Sequence, residues 1–339
     1  MRKLLIGFVV VVVISVALYF RLHRSAKPPA ETAYAGNREV TLWSTTAQVR
    51  SPVATASFGD RLDVMNRFGD QVQVRTALGA TGWASERDLL SAELWQNSKD
   101  LNAATETRPV EARGRTRVLS NMHLEPGRDT PRLRQLNKNV AVDLFERRPV
   151  EVPSPTVAKA SDQESAAGSP EAKKEDWWLV RAQLPDQTRV SGWILGRFID
   201  LEVPAPLPDY ASSAGMRIVA WFELNHVSDS TGEMKPQYLV VGARGPEGHA
   251  CDFTVMRVLT WGNQRQRYET AFVDSDVCGK LPLKLMQATA PGGDASFAFQ
   301  DLSNRAPEER LYRMHQTIVG RVREGAAQPA KRAAPKRKH

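Results

Sequence analysis

The sequence has little of what catalysis or metal binding requires. Its 339 residues include six histidines and two cysteines. Zinc sites need several His, Cys or acidic ligands at fixed spacings, whereas His226, His249 and His315 are isolated from one another. A Gly-rich phosphate loop and a Gly-x-Ser-x-Gly turn are also absent. We therefore expect no catalytic residue, no metal and no cofactor, and we predict that the protein is not an enzyme.

The body of the chain also lacks an excess of positive charge. The net charge is +8, but residues 1–27 contribute +5 and residues 321–339 contribute +6, which leaves −3 for the residues between them. A nucleic-acid-binding face needs cations clustered within the folded part. We therefore expect no nucleic-acid partner for the body, and we interpret 324–339 as a basic disordered tail.

One long apolar run opens the chain. The segment 4–20 has no charged residue and spans roughly 25 Å as a helix, close to the minimum for crossing a bilayer core. We predict a transmembrane anchor over residues 1–24. A cleaved signal peptide and a buried core helix are the alternatives; Ala33-Tyr34-Ala35, a small-x-small site, lies far beyond the run. No Cys follows the run, which excludes lipoprotein processing.

The rest of the chain is typical of an all-β protein. Short runs that alternate apolar and polar residues predict half-buried antiparallel strands, separated by Gly-rich turns. The predicted segments are a linker (25–37), a β module (38–91), a linker (92–114), a second β module (115–201) with a disordered insertion (147–175), a Pro-rich linker (202–215) and a C-terminal β domain resembling a sandwich (216–323).

An internal repeat relates the two modules. Val74-Arg75 is followed by a polar loop and Gly82-Trp83-Ala84, and Val180-Arg181 is followed in the same way by Gly192-Trp193-Ile194. A strand, a loop and a Gly-Trp strand thus recur about 110 residues apart. Such recurrence indicates one small β module present twice.

The order of motifs in both modules resembles the bacterial SH3-like family, SH3b. The stretches of the second module that carry the resemblance are Leu124–Arg128, Leu136–Val140, Trp177–Arg181 and Gly192–Ile194. In the first module Gln71 replaces the family's strand Trp, and only Arg50-Ser51-Pro52 remains of its opening motif. The resemblance implies two five-stranded barrels that bind peptides or cell-envelope polymers outside the inner membrane. A purely structural role of the first copy is an open alternative.

Tryptophans are the candidate ligand-binding residues of the modules. Trp177 and Trp178 are adjacent on a strand and so face opposite sides, which predicts one in the barrel and one exposed. An exposed Trp can stack on a peptide or a sugar. We list Trp177, Trp178, Trp193 and Trp83 as candidates; the alternative is that each Trp only closes its barrel.

Cys251 and Cys278 are predicted to form a disulfide. The two residues are equidistant from the centre of a hairpin whose register pairs Trp261 with Tyr268 and Leu259 with Thr270. Cytosolic proteins rarely keep such a bond, so the pairing favours an extracytoplasmic body; two unpaired buried thiols are the alternative. A nucleophilic Cys is expected at a helix N-terminus, and neither Cys has that setting.

Together these patterns predict a protein of the inner membrane, anchored through residues 4–20 with its body on the extracytoplasmic side. We expect it to bind or scaffold, with peptidoglycan or an envelope protein as partner. A peptidoglycan hydrolase or hydrolase activator is the first alternative, with catalysis in the C-terminal domain. A cytoplasm-facing protein whose basic tail binds nucleic acid or lipid is the second. The sequence leaves the ligand and the oligomeric state open.

Overall fold

The computed structural model describes residues 31–152, 173–185, 187–287 and 293–322. Most of these residues lie in antiparallel strands, in agreement with the expected predominance of β structure. Among the described residues there is no helix of the length and apolarity needed to cross a membrane. The predicted anchor (1–24), the middle of the predicted insertion and the basic tail (324–339) lie outside the described residues. The chain divides into two units, 1–96 and 97–339.

The first unit contains one seven-stranded sheet, which we call the first module. Its strand order is β3-β2-β6-β5-β4-β1-β7. The strands are β1 (Thr32–Ala35), β2 (Glu39–Trp43), β3 (Pro52–Ser57), β4 (Arg61–Phe68), β5 (Gln71–Thr76), β6 (Thr81–Ser85) and β7 (Leu89–Ser91). Alternate residues point to a core that includes Val40, Leu42, Leu62, Val72 and Val74. On the other face the side chains are partly buried or exposed, and Trp95 stacks on Tyr34.

The second unit begins within helix α1 (Ala92–Glu106) and contains a second seven-stranded sheet, the second module. Its order is β10-β9-β13-β12-β11-β8-β14, which repeats the first order seven strands later in the chain. The internal repeat is therefore present in the fold. The strands are β8 (Ala112–Thr116), β9 (Ser120–His123), β10 (Arg132–Leu136), β11 (Ala141–Glu151), β12 (Lys174–Gln183), β13 (Arg189–Leu195) and β14 (Ile199–Leu201).

Eight further strands form two four-stranded sheets, β15-β16-β17-β18 and β19-β20-β21-β22. The two sheets contact each other through Phe272 and Tyr312, whose ring centres are 5.9 Å apart, and Phe253, just before β17, packs on Phe299 at 5.0 Å. The strands are β15 (Arg217–Ser228), β16 (Met234–Ala243), β17 (Val255–Gly262), β18 (Arg267–Asp274), β19 (Gly279–Met286), β20 (Ala295–Asp301), β21 (Glu308–His315) and β22 (Ile318–Val322).

The β17–β18 hairpin has the expected register. Trp261 pairs with Tyr268 and Leu259 with Thr270. Cys251 and Cys278 are joined in a disulfide, with their Cα atoms 4.9 Å apart. Neither cysteine lies in the two hairpin strands; the bond joins the segments that lead into β17 and out of β18.

Three segments that the sequence suggested were linkers contain regular structure. Residues 25–37 include strand β1, and residues 92–114 include helix α1 and the start of β8. Residues 202–215 include helix α2 (Pro206–Ser213). Leu207 and Ala211, four residues apart on one face of α2, are buried against a core that contains Tyr238 and Val255. The prolines only begin this helix, where a missing N–H has no cost.

The boundaries of the predicted insertion (147–175) also differ from the structure. Strand β11 continues to Glu151 and β12 begins at Lys174, and the two strands pair at both ends of the interval. Arg147, Glu175 and Asp176 are buried, so both edges of the interval belong to the sheet. Composition suggested otherwise because these residues are charged, and their ion-pair partners are distant in sequence.

Candidate functional site

The three tryptophans of the second module are buried. Trp177, Trp178 and Trp193 are 3%, 7% and 4% exposed. The expectation that either Trp177 or Trp178 is exposed is wrong. Trp177 and Trp193 lie in a cluster with Leu179, and this cluster is covered by the side chains Leu101, Val110, Val150 and Phe198.

Polar groups near these tryptophans hold the cluster in place. The ring of His123 meets Trp177 edge-on at 5.3 Å, and the guanidinium of Arg148 lies 4.9 Å from the centre of the Trp193 ring. Burial lowers the pKa of His123, so the imidazole is neutral at pH 7. The face of the second module that carries Trp193 therefore acts as core and offers no accessible aromatic surface.

The corresponding face of the first module is open. A row of directly paired residues crosses five strands, with Trp43 opposite Trp83, both half-buried, at its centre. Gln73 and Asn66 extend the row on one side and Pro52 extends it on the other. Paired residues on neighbouring strands point to the same side of a sheet. We call these five residues the tryptophan row.

A cation lies beside the tryptophan row. The guanidinium of Arg50 is 4.5 Å from the centre of the Trp43 ring, within cation–π distance. Arg50 is exposed and forms no ion pair with any carboxylate of the described residues. The Trp43 ring orients the planar guanidinium of Arg50. The N–H groups of Arg50 therefore remain available to a carboxylate.

Chemically, the tryptophan row combines a stacking surface with hydrogen-bonding amides. The Trp83 ring offers apolar area, and Gln73 and Asn66 can both donate and accept. Gln71 and the exposed Phe68 lie beside them on the same face. Of the four candidate tryptophans only Trp83 is on this surface, and sequence reasoning missed its partner Trp43. Gln71, whose position suggested that the first copy is only structural, lies on this polar and partly accessible face.

A second cluster of charges joins the second module to the C-terminal sheets. Arg147 of β11 donates to Asp176 at 2.7 Å, to Asp252 at 3.0 Å and to the carbonyls of His249 and Cys251. Lys280 also donates to Asp252, at 2.8 Å. Arg147 and both carboxylates are at most 3% exposed in their side chains. The two cations match the two carboxylates in charge, and only Lys280 is partly exposed, so we interpret this cluster as structural.

A buried carboxyl lies close to this cluster. Glu111 accepts a hydrogen bond from the backbone N–H of Leu283 at 3.1 Å. Burial raises the pKa of Glu111 to about 7, since the Leu283 hydrogen bond offsets only part of the desolvation and Asp252 adds repulsion. No group of three or more His, Cys, Asp or Glu side chains within the described ranges could hold a metal ion.

Comparison with known proteins gives little further information. No family model and no curated protein matches the chain. Similar solved structures include an NlpC/P60 family protein from Bacillus cereus (12% identity, 71% of this chain, 93% of that one, TM-score 0.21). NlpC2 from Trichomonas vaginalis is 9% identical (70% and 91% covered, TM-score 0.17), and NlpC1 from the same organism is 8% identical (74% and 90%, TM-score 0.18). Scores of this size do not show a shared fold.

Proposed function

We propose that the protein is a membrane-anchored binding or scaffold protein of the cell envelope, whose first module holds a wall peptide or polymer on the tryptophan row. The observation that carries the proposal is the open face around Trp43 and Trp83, set against the buried equivalent face of the second module. In this proposal each seven-stranded sheet is an SH3-like barrel of the SH3b kind, and the two C-terminal sheets form a sandwich.

Two further features support this proposal. The disulfide between Cys251 and Cys278 suits an oxidising compartment, in keeping with a body outside the inner membrane. The chain has no other cysteine. A thiolate nucleophile is therefore missing from the oxidised protein, which favours binding over cysteine-peptidase chemistry.

The binding test uses the full chain in a non-ionic detergent and purified peptidoglycan sacculi. We expect wild-type protein to co-sediment with the sacculi and Trp83→Ser to lose about tenfold in affinity, the effect of removing a central aromatic anchor worth about 1.4 kcal/mol or more. Arg50→Gln should weaken binding less. Ile318→Ser, a change at an exposed C-terminal position, is the matched control. Equal co-sedimentation of wild type and Trp83→Ser would remove the tryptophan row from the proposal.

A second measurement separates the alternatives. Zymography on the same sacculi should give no clearing with the protein alone. Clearing would favour the hydrolase alternative, and clearing only with an added amidase or peptidase would favour the activator. A topology reporter fused after residue 339 should be active outside the inner membrane; activity in the cytoplasm would support the cytoplasm-facing alternative.

A further inference from the structure

A cavity lies at the junction of the second module with the C-terminal sheets. Its volume is about 470 Å³, within the range of small-molecule sites. The apolar part of its wall is Phe145 of β11 with the prolines Pro109, Pro149 and Pro282 and the side chain of Leu281. The tryptophan row is not part of it, and nothing in the proposed function uses it.

Two arginines at this cavity have unused hydrogen-bonding capacity. Arg108 Nη1 donates to Glu146 Oε2 at 2.7 Å, and Arg148 Nε donates to Glu146 Oε1 at 2.7 Å. The remaining N–H groups of both guanidinium ions have no partner among the residues that the structure describes. Arg148 is also oriented by the Trp193 ring beneath it. Two cations are thus held on either side of one carboxylate.

Glu146 remains ionised between them. Burial alone would raise the pKa of Glu146, but the hydrogen bonds from Arg108 and Arg148 outweigh it and lower the pKa. Glu146 therefore neutralises only one of the two cations. Deeper in the cavity, Arg147 and Lys280 face Asp252, and Asp176 lies behind Arg147. Four cations and two carboxylates line the cavity, and Asp176 behind them also pairs with Arg217 at 3.8 Å, so the cavity carries an excess of positive charge.

We propose that this cavity binds a small organic anion, with its acidic group between Arg108 and Arg148 and its apolar part against Phe145 and Leu281. A carboxylate or a phosphate monoester fits the free N–H groups of two guanidinium ions. The apolar wall distinguishes such a ligand from an inorganic ion, which would gain nothing from Phe145 and the prolines. Occupancy would bridge the second module and the C-terminal sheets.

The test is saturation-transfer difference NMR on the full chain in non-ionic detergent, with empty micelles as blank. The probes are benzoate, phenyl phosphate, inorganic phosphate as competitor, and benzyl alcohol. We expect transfer to benzoate or phenyl phosphate, and at least a fivefold smaller signal in Arg108→Gln/Arg148→Gln. Benzyl alcohol, which has the ring but no charge, should give little transfer. The matched control is Arg115→Gln/Arg117→Gln, because both arginines pair with carboxylates on the module surface.

Each probe also has an outcome that overturns the proposal. Equal transfer to benzyl alcohol and benzoate would mean a merely apolar cleft, and full displacement by equimolar inorganic phosphate would mean a simple ion site. No transfer to any probe, or an unchanged signal in the double variant, would rule out the site. If the double variant fails to fold, Arg108→Gln alone serves, because the Arg108 side chain is 41% exposed and its loss leaves the core unchanged.

Discussion

The two modules place equivalent residues in opposite environments. The register makes Trp83 equivalent to Trp193, since each follows a glycine on the strand that pairs with β5 or β12. By the same pairing Arg67 is equivalent to Arg147. Trp83 is half-buried and Arg67 forms exposed ion pairs with Glu31 and Glu86, whereas Trp193 and Arg147 are buried. The same sheet topology therefore presents these positions to solvent in the first module and buries them in the second.

For the tryptophans the difference arises from what covers the outer face of each sheet, whereas Arg147, on the opposite face, is enclosed by Asp176 and Asp252. In the second module the outer face meets Leu101 of α1 and Val110, and its bulge residue Phe145 is buried. The bulge residue of the first module, Met65, is 44% exposed. Duplication thus allowed one copy to be built into the larger second unit while the other kept an accessible face. The predictions below test this division, from the largest expected effect to the smallest.

The largest effect is expected at the equivalent arginines. Arg147→Ala removes the one cation of the described residues that lies at hydrogen-bond distance from Asp176, leaving it with Arg217 at 3.8 Å, and leaves Asp252 with Lys280. Uncompensated buried charge should destabilise the second unit by about 3–5 kcal/mol. Arg67→Ala breaks only exposed pairs and should cost at most about 1 kcal/mol. Urea unfolding with pulse proteolysis and mass spectrometry separates peptides of residues 31–96 from those of residues 97–322.

Comparable losses in the two arginine variants would contradict this division between an open and a built-in module. Arg148→Ala is a useful control, because Arg148 is on the same strand as Arg147 but more than half exposed.

The equivalent tryptophans should differ in the same sense. Trp193→Ala removes a fully packed ring and should cost about 3–5 kcal/mol. The Trp83 ring is only half-buried, so less buried apolar area is lost in Trp83→Ala, and this variant should be destabilised by about 1–2 kcal/mol. The same proteolysis experiment reads both. A Trp83→Ala loss as large as that of Trp193→Ala would show that the tryptophan row is a packed core instead of a surface.

A pH dependence should distinguish the glutamates that precede the first strand of each module. The pKa of Glu111 is about 7 in the folded protein, and about 4.3 is usual for an unfolded chain. At a pH between these two pKa values, Glu111 is protonated in the folded state and ionised in the unfolded state. The free energy of unfolding therefore falls as pH rises from about 4.5 to 7. The fall should total roughly 3–4 kcal/mol and be complete by about pH 8.

Glu111→Gln should remove most of this slope, because an amide oxygen can still accept from Leu283 and does not titrate. Glu31→Gln, at the start of the first module, should leave the slope unchanged. Urea midpoints of the second unit at pH 4.5, 6 and 7.5 are the measurement. A slope that persists in Glu111→Gln would assign the titration to another group.

Local patterns predicted the repeat and the hairpin, because both depend on residues close in sequence. The Gly-Trp stretches predicted two copies of one β module. The equal spacing of Cys251 and Cys278 from the centre of the hairpin predicted their disulfide. Burial of the tryptophans could not be predicted in this way. It depends on Leu101, Val110 and Phe198, which pack against the cluster of Trp177 and Trp193 from separate parts of the chain. The charged residue Arg147 was assigned to the disordered insertion, because its ion-pair partner Asp252 is 105 residues away in sequence.

The smallest effect concerns the glycine of each Gly-Trp stretch, whose role follows from the structure. A Cβ at Gly192 would lie 2.3 Å from Met122 Cγ and 2.8 Å from the His123 carbonyl, and one at Gly82 would lie 2.8 Å from Leu42 Cβ. Each glycine therefore allows β13 or β6 to approach the strand that crosses it. Gly192→Ala should cost about 2–3 kcal/mol and Gly82→Ala about 1–2 kcal/mol, since overpacking is felt more where both faces of the sheet are covered. Proteolysis midpoints of the two units measure both losses. A larger loss at Gly82 would mean that close approach of the strands, and not coverage of the outer face, sets the rigidity of each module.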